Sequence, residues 1–372
     1  MKFIISSQTL LKHLQLISGV IAPNNALPIL ENFLFEINNE KLTLRSTDLD
    51  CTMETNIGIE CNDTGTIAID AKMLLEFLKA FPEQPLTFMV NNENNIVKVI
   101  SEDGEYSFSF FDGNEFPKTP ILNNEKSINI NSQVFLTSIT QTIFAAGNDE
   151  LRPVMSGVFC DVSSGSINFV ATDAHKLIKH KVNEQTEEKT SFILPKKPLN
   201  IIKNIFSDYN EEIKINYDQS NAIFSFNNIT VYCRLVDGNY PNYEQVIPKD
   251  NPNVLNIFRS ALISAIKKVM PLSNKSTNQI VFDIKGNLLN VSSVDNDVNN
   301  SALSIIKSNL KYDGEDLKIA FNGKFLLEIL QSLNHEELTI KLNTPARAVT
   351  IEPNDELNNT IALIMPIMLN DE

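Results

Sequence analysis

Residues 2–17, KFIISSQTLLKHLQLI, decide how the rest of the chain is read. The first five residues form a short alternating run, as in a half-buried strand, and an apolar stripe with helical spacing starts at Leu10. Ser6 lies at the junction between them. The same strand, junction and helix recur five more times, as TIAID-AKMLLEFLKAF, SININ-SQVFLTSITQTI, SFILP-KKPLNIIKNIF, VLNIF-RSALISAIKKVM and KIAFN-GKFLLEILQSL. The junction residues are Ser6, Asp70, Asn131, Pro195, Phe258 and Asn322, spaced by 64, 61, 64, 63 and 64 residues. A period this regular marks a repeat architecture.

Ser6, Asp70, Asn131 and Asn322 suit a helix N-terminus, because each side chain can accept from the free N–H groups of the first turn. Four residues past each junction come Leu10, Leu74, Phe135, Leu199, Leu262 and Leu326; two residues past it the chain is polar throughout. Phe258 breaks the capping pattern.

A longer repeat pairs these units. Asp112-Gly113-Asn114 and Asp237-Gly238-Asn239 are 125 residues apart, and Thr47-Asp48, Thr172-Asp173 and Val294-Asp295 recur at offsets of 125 and 122. The chain therefore reads as three domains, 1–124, 125–250 and 251–372, each of two β-α-β-β-β half-repeats. The boundaries fall where Asn, Pro, Lys and Asp cluster. Runs such as FLFEI, KLTLRS and IVKVIS, separated by polar turns, predict antiparallel hairpins. The fold class is α+β, helices against antiparallel sheet. Six equal units suggest an arc, which closes into a ring when copies meet head to tail with the right rotation.

No apolar run approaches the roughly 18 residues of a membrane span, and Ser6, Ser7, Gln8 and Lys12 interrupt the start where a signal peptide would be continuous. We expect a soluble cytoplasmic protein. Cys51, Cys61, Cys160 and Cys233 contain no C-x-x-C pair, so buried reduced thiols are expected rather than a zinc cluster or a disulfide framework. The formal charge is −15, yet it is unevenly spread. Over predicted helices 7–21, 71–81, 132–147, 196–207, 259–270 and 323–333 there are ten basic residues against two acidic ones, a net of +8, which leaves −23 for the remainder. Such helices suit contact with phosphates without base reading. With no Trp, base stacking is not signalled.

No phosphate loop, dinucleotide fingerprint or H-E-x-x-H is present, and no nucleophile, base and orienting group stand out. Asp48/Asp50 and Asp295/Asp297 are D-x-D pairs. They suit either a divalent ion or the backbone N–H groups of a turn. The first option would make the chain a metal-dependent nucleic-acid-processing enzyme; the second leaves it without metal or cofactor.

Several segments resemble one family in order: Met1-Lys2-Phe3, Leu27-Pro28-Ile29-Leu30, Thr47-Asp48-Leu49, Arg152-Pro153-Val154-Met155-Ser156-Gly157, Ala171-Thr172-Asp173-Ala174-His175-Lys176-Leu177, Leu235-Val236-Asp237-Gly238 with Tyr240-Pro241-Asn242-Tyr243, and Ile364-Met365-Pro366-Ile367. Over essentially the whole chain it resembles the bacterial DNA sliding clamp, the beta subunit of the replicative polymerase. The resemblance implies three tandem repeats of the DNA-clamp fold and a head-to-tail homodimer forming a ring. It further implies a non-enzymatic processivity factor threaded by double-stranded DNA. Implied partners are the replicative DNA polymerase, the clamp loader, repair polymerases and mismatch-repair proteins, with no membrane.

The resemblance also implies a peptide-binding cleft of Met155, Thr172, His175, Leu177, Pro241, Val246, Asn322, Phe325, Leu363, Ile364, Met365, Pro366 and Ile367, with His175 and Asn322 fixing polar groups of the peptide. DNA-facing positions are Lys12, Lys72, Lys79, Lys196, Lys197, Lys203, Lys267 and Lys268. Tyr106 and Leu272 would meet at the dimer seam. The chain departs from the family pattern in carrying Asn24 where a basic loop residue is usual, DNDVNNSALS over 295–304 where acidic seam residues are common, and a tail ending Asn370-Asp371-Glu372.

Overall fold

The computed structural model describes every residue except 23–25, 62, 150, 185–188, 207–209, 356–358 and 370–372. Asn24 and the acidic end of the tail lie outside the described residues.

The six half-repeats appear in order. The first is β1 (Lys2–Ser6), α1 (Ser7–Ile17), β2 (Asn32–Asn38), β3 (Lys41–Thr47) and β4 (Cys51–Gly58). The second is β5 (Thr64–Asp70), α2 (Ala71–Lys79), β6 (Pro85–Asn91), β7 (Ile96–Ile100) and β8 (Glu105–Ser109), with a short β9 (Phe111–Asp112). The third is β10 (Lys126–Asn131), α3 (Ser132–Thr142), β11 (Gly157–Ser163), β12 (Ser166–Thr172) and β13 (Lys176–Val182). The fourth is β14 (Thr190–Pro195), α4 (Lys196–Ile205), β15 (Glu212–Tyr217), β16 (Asn221–Phe226) and β17 (Ile229–Arg234). The fifth is β18 (Asn253–Phe258), α5 (Arg259–Val269), β19 (Gln279–Lys285), β20 (Leu288–Asp295) and β21 (Asn300–Ile306), with an added β22 (Leu310–Asp313). The sixth is β23 (Leu317–Asn322), α6 (Gly323–Ser332), β24 (Glu337–Leu342), β25 (Val349–Pro353) and β26 (Thr360–Ile364).

The capping expectation has a geometric basis at four junctions. Ser6 accepts from Thr9 N at 3.4 Å, Asp70 from Met73 N at 2.7 Å, Asn131 from Gln133 N at 2.9 Å, and Asn322 from Lys324 N at 3.0 Å. At Phe258 the cap comes from elsewhere in the chain: Glu336 Oε1 accepts from Ser260 N at 3.2 Å and from Ser260 Oγ, while Arg259 N donates to Glu336 O at 2.7 Å. A carboxylate there also complements the helix dipole. The helices are shorter than the periodicity predicts, because α1, α3 and α5 tighten into 3-10 turns at 18–20, 143–145 and 270–272.

Each domain exchanges its first strands. β1 pairs with β6, and β5 pairs with β2, so each sheet takes its leading strand from the other half. The same exchange joins β10 to β15, β14 to β11, β18 to β24 and β23 to β19. The helices pack their apolar stripes on these sheets; α1 buries Leu10, Leu11, Leu14 and Ile17, each worth about 2 kcal/mol relative to exposure.

The chain packs as two compact units, 1–135 with 197–235 and 136–196 with 236–372, so the expected central domain contributes to both. The first unit holds the sheets β1-β6-β7-β8 and β10-β15-β16-β17-β4-β3-β2-β5-β9; the second holds β14-β11-β12-β13-β26-β25-β24-β18-β22 and β21-β20-β19-β23. Each nine-stranded sheet contains a seam between domains, β17 on β4 in the first unit and β13 on β26 in the second. β8 and β21 each end one of the four-stranded sheets, opposite β1 and β23. Among the described residues no helix is long and apolar enough to cross a membrane.

Candidate functional site

The seam of the second unit starts from a tight turn at 172–176. Thr172 Oγ1 donates to Lys176 O at 2.7 Å and accepts from Ala174 N at 3.1 Å, while Asp173 Oδ1 accepts from His175 N and Lys176 N, both at 2.9 Å. These bonds hold Ala174 at φ 75°, a left-handed conformation that costs a non-glycine residue about 1 kcal/mol. The turn projects His175 outward and returns Lys176 and Leu177 to the sheet, opposite Ile364 and Leu363. Beyond β26 the ladder continues: Met365 N donates to His175 O at 2.8 Å, and Ile367 N to Ala320 O at 2.9 Å. The tail is thereby laid between β13 and β23.

Leu177 and Leu363 meet Val170 and Tyr243 in a buried cluster, with Phe159, Tyr240, Ile247 and Ala348 packed against it. Phe159 stacks on Tyr240 at 4.5 Å between ring centroids. Tyr243 OH donates to Asp161 Oδ2 at 2.6 Å; burial, then that bond to Asp161, pushes its hydroxyl pKa well up. Val246, 55% exposed, follows the short turn at Tyr243–Gln245, and Pro241 precedes it. At the other end His175 stacks on Phe325 at 5.7 Å, and Met365 is 39% exposed. The result is an aliphatic and aromatic surface with exposed Val246 and Met365 at its margins, suited to an extended apolar chain.

The expected cleft residues therefore divide. Leu177 and Leu363 are buried floor; Ile364, opposite Lys176, is buried on the other face of the sheet; Pro241, Val246, His175, Phe325, Met365, Pro366 and Ile367 are partly or fully exposed. Met155 sits in a neighbouring turn, its carbonyl accepting from Gly147 N at 2.8 Å, and Gly147 lies between that carbonyl and Asp173. Asn322 Oδ1 caps α6 and its Nδ2 donates to Thr277 O at 3.1 Å, a bond that takes one of the two amide hydrogens. Thr172 is likewise committed to its turn. Sequence reading missed Val170, Tyr243, Ile247 and Ala348. Tyr243 was visible in the Tyr240-Pro241-Asn242-Tyr243 motif; the others had no local signal.

On the helices, Lys12, Lys72, Lys79, Lys267 and Lys268 are exposed opposite the buried stripes. Lys267 and Lys268 line a shallow groove of about 490 Å³ with Arg259, Ser260, Ile263 and Ser264. Lys203 is half-buried. Lys196 donates to Asn148 Oδ1 at 2.7 Å, and burial, with Lys176 nearby, lowers its pKa. Lys197 pairs with Asp48 and donates to Val20 O at 2.8 Å, which reduces the charge it offers a ligand.

Tyr106, 37% exposed, packs edge-on to Phe77 and Phe81; Leu272, 38% exposed, ends the turn after α5. The D-x-D pairs are built as turns: Asp48 Oδ1 accepts from Asp50 N and Cys51 N, and Asp295 Oδ1 from Asp297 N and Asn274 Nδ2.

Family models for the DNA polymerase III beta subunit match this chain over residues 1–120 for the N-terminal domain, 129–242 for the central domain and 244–368 for the C-terminal domain. A beta sliding clamp of Halalkalibacterium halodurans is 24% identical over 381 residues, covering 99% of both chains. One of Synechococcus elongatus is 26% identical over 378 residues, covering 99% of this chain and 100% of the relative. The crystal structure of the Pseudomonas aeruginosa DNA polymerase III subunit beta superposes with a TM-score of 0.94 at 24% identity, over 99% of this chain and 100% of the other. The Bacillus subtilis DNA polymerase sliding clamp gives 0.93 at 24%, over 99% of each. With all three domains matched in order, the chain belongs to the DNA polymerase III beta-subunit family, the beta sliding clamps.

Proposed function

We propose that two copies of this chain close head to tail around duplex DNA and hold a replicative polymerase there. The role is non-catalytic, the setting cytoplasmic, and each chain acts as three clamp domains, 1–124, 125–250 and 251–372. Exposed Lys12, Lys72, Lys79, Lys267 and Lys268, with Lys196 and Lys197 at the start of α4 and Lys203 in its last turn, would meet phosphates without reading sequence. The surface around Leu177, Leu363 and Met365 would dock apolar tails of polymerases, the clamp loader and repair proteins.

The observation that carries the closure is a register rule. Each seam joins the last strand of an odd half-repeat to the last strand of an even one: Thr52 lies opposite Tyr232, and Leu177 opposite Leu363. Those positions are equivalent, because Thr47↔Thr52, Thr172↔Leu177 and Val294↔Ser301 are matching hairpin pairs. Two last strands, β21 and β8, have no seam partner on their other edge among the described residues. The rule sets Ser301 of one copy opposite Ser107 of the other, and Ala302 opposite Tyr106. Unpaired strand edges are templates for pairing, and Leu303 and Ile305 on β21 are 62% and 48% exposed. Leu272 and Tyr106 would be covered in the same contact.

Solution mass together with retention on DNA tests the proposal. The expected result is a two-chain mass and retention on nicked circles but loss from linear duplex. A monomer, or equal retention on both, contradicts it.

A further inference from the structure

Lys176 is 4% exposed, and a buried ammonium needs compensation. Its Nζ lies 2.6 Å from Asp173 Oδ2 and 3.2 Å from Glu328 Oε2, and 4.3 Å from the ring centroid of Phe325. Phe325 in turn stacks on His175. Asp173 also ties the backbone of the 172–176 turn through its other oxygen. Lys176 thus bonds its own turn to α6, whereas His175 O receives Met365 N from the tail. Glu328, one of only two acidic residues among the predicted helices, stands where it completes this arrangement.

We infer that Lys176 is the positioning residue of the peptide cleft, clasping Asp173 and Glu328 so that Phe325, His175 and the tail at Met365 are held ready for an apolar peptide. This deepens the docking reading and rests on it. The clasp joins segments 152 residues apart, Lys176 to Glu328. A charged group over an aromatic face fixes that ring more firmly than packing alone. Order imposed before binding appears as affinity, since only the competent fraction of molecules binds.

The test uses the full-length chain and a fluorescein-labelled Leu-Ser-Leu-Ser-Leu peptide read by anisotropy, with hydrogen exchange at the Met365 amide as a peptide-independent readout. Lys176→Met should weaken binding about ten-fold and speed Met365 exchange. Lys176→Arg, which keeps the charge, should stay within about three-fold of the native protein on both. Glu328→Gln, at a half-exposed carboxylate, should shift both readouts in the same direction as Lys176→Met but less. Lys176→Met binding like native, or Lys176→Met and Lys176→Arg failing equally, overturns the inference. Should Lys176→Met not fold, Glu328→Gln decides, and unchanged values there also overturn it. If the native protein does not bind the peptide, the docking reading fails, while the exchange comparison still judges the clasp.

Discussion

At the β4–β17 seam Arg234 N donates to Asp50 O at 2.8 Å; at the β13–β26 seam Met365 N donates to His175 O at the same distance and the equivalent position. The backbones agree and the side chains do not. Where the second seam carries His175 and Met365, the first carries Asp50 and Arg234, an exposed pair at 3.9 Å. Where the second has Val170, Leu177 and Leu363, the first has Arg45, Thr52 and Tyr232, with Arg45 bound to Glu54 at 2.8 Å. Asp48 is neutralised by Lys197 from α4, Asp173 by Lys176 of its own turn. The exposed Asp50–Arg234 pair adds little stability. Docking an apolar segment on it would strip two charges of water, which disfavours binding there. The repeat builds the same ladder twice; on the proposed docking reading, the outward side chains decide which seam accepts a partner.

The sharpest way to break this contrast is to charge the buried floor. Leu177→Asp should destabilise the second unit by about 3–5 kcal/mol, an unpaired charge in an apolar cluster, and lower the thermal midpoint by several degrees. An unchanged melt would show that the cluster is open to water. Next, Leu177→Thr gives the second seam the residue of the first. We expect about 2 kcal/mol of lost stability and at least ten-fold weaker peptide binding by anisotropy. Met365→Arg, likewise borrowed from the first seam, should weaken peptide binding several-fold with a normal melt and normal dimer mass, because Met365 contributes its backbone to the ladder and its side chain to the surface. Truncation is a poorer probe: cutting from Ile364 removes a buried residue paired with Lys176 and the Ile367 bond to Ala320.

The acid limb offers a smaller effect. Burial raises the Asp173 pKa, but the hydrogen bonds from Lys176 Nζ and from the Lys176 and His175 N–H groups outweigh it and hold the carboxyl below the usual range. A depressed folded pKa gives stability that is complete above the unfolded value, about 3.9, and is lost as pH falls through the folded one. Amides of the 172–176 turn should therefore lose exchange protection below about pH 4, and Asp173→Asn should remove that pH dependence. A native turn with the same protection at pH 3 as at pH 6 would refute it.

Much of this was legible in the sequence. The junction residues fixed the helix starts, since a cap and its apolar stripe are local, and the 125-residue offsets paired the half-repeats. The exchange of β1 and β5 was not legible, because antiparallel partners are chosen by tertiary packing rather than by either strand's pattern. Nor was the cap on α5, which comes from Glu336, 76 residues beyond Ser260. Within the site, the family resemblance located the segments, while the roles of Thr172 and Asn322 needed hydrogen bonds to resolve. Lys176 stands inside the Ala171–Leu177 segment with no local sign of its role; its partner Glu328 lies 152 residues on in α6 and announces nothing in sequence.

Closure of two chains depends on the register between β21 and β8, and a cross-link measures it directly. A chain carrying both Ala302→Cys and Tyr106→Cys places two thiols opposite each other across each proposed seam, at positions equivalent to Met53 and Val231, which lie opposite each other in β4 and β17. Mild oxidation should give a covalent dimer at twice the chain mass on a non-reducing gel. Formed around a nicked circle, it should stay on that DNA through denaturation. The shifted pair, Ser304→Cys with Tyr106→Cys, should cross-link poorly. Efficient cross-linking of the shifted pair, or none of the predicted one in a dimer of native mass, would contradict the closure proposed here.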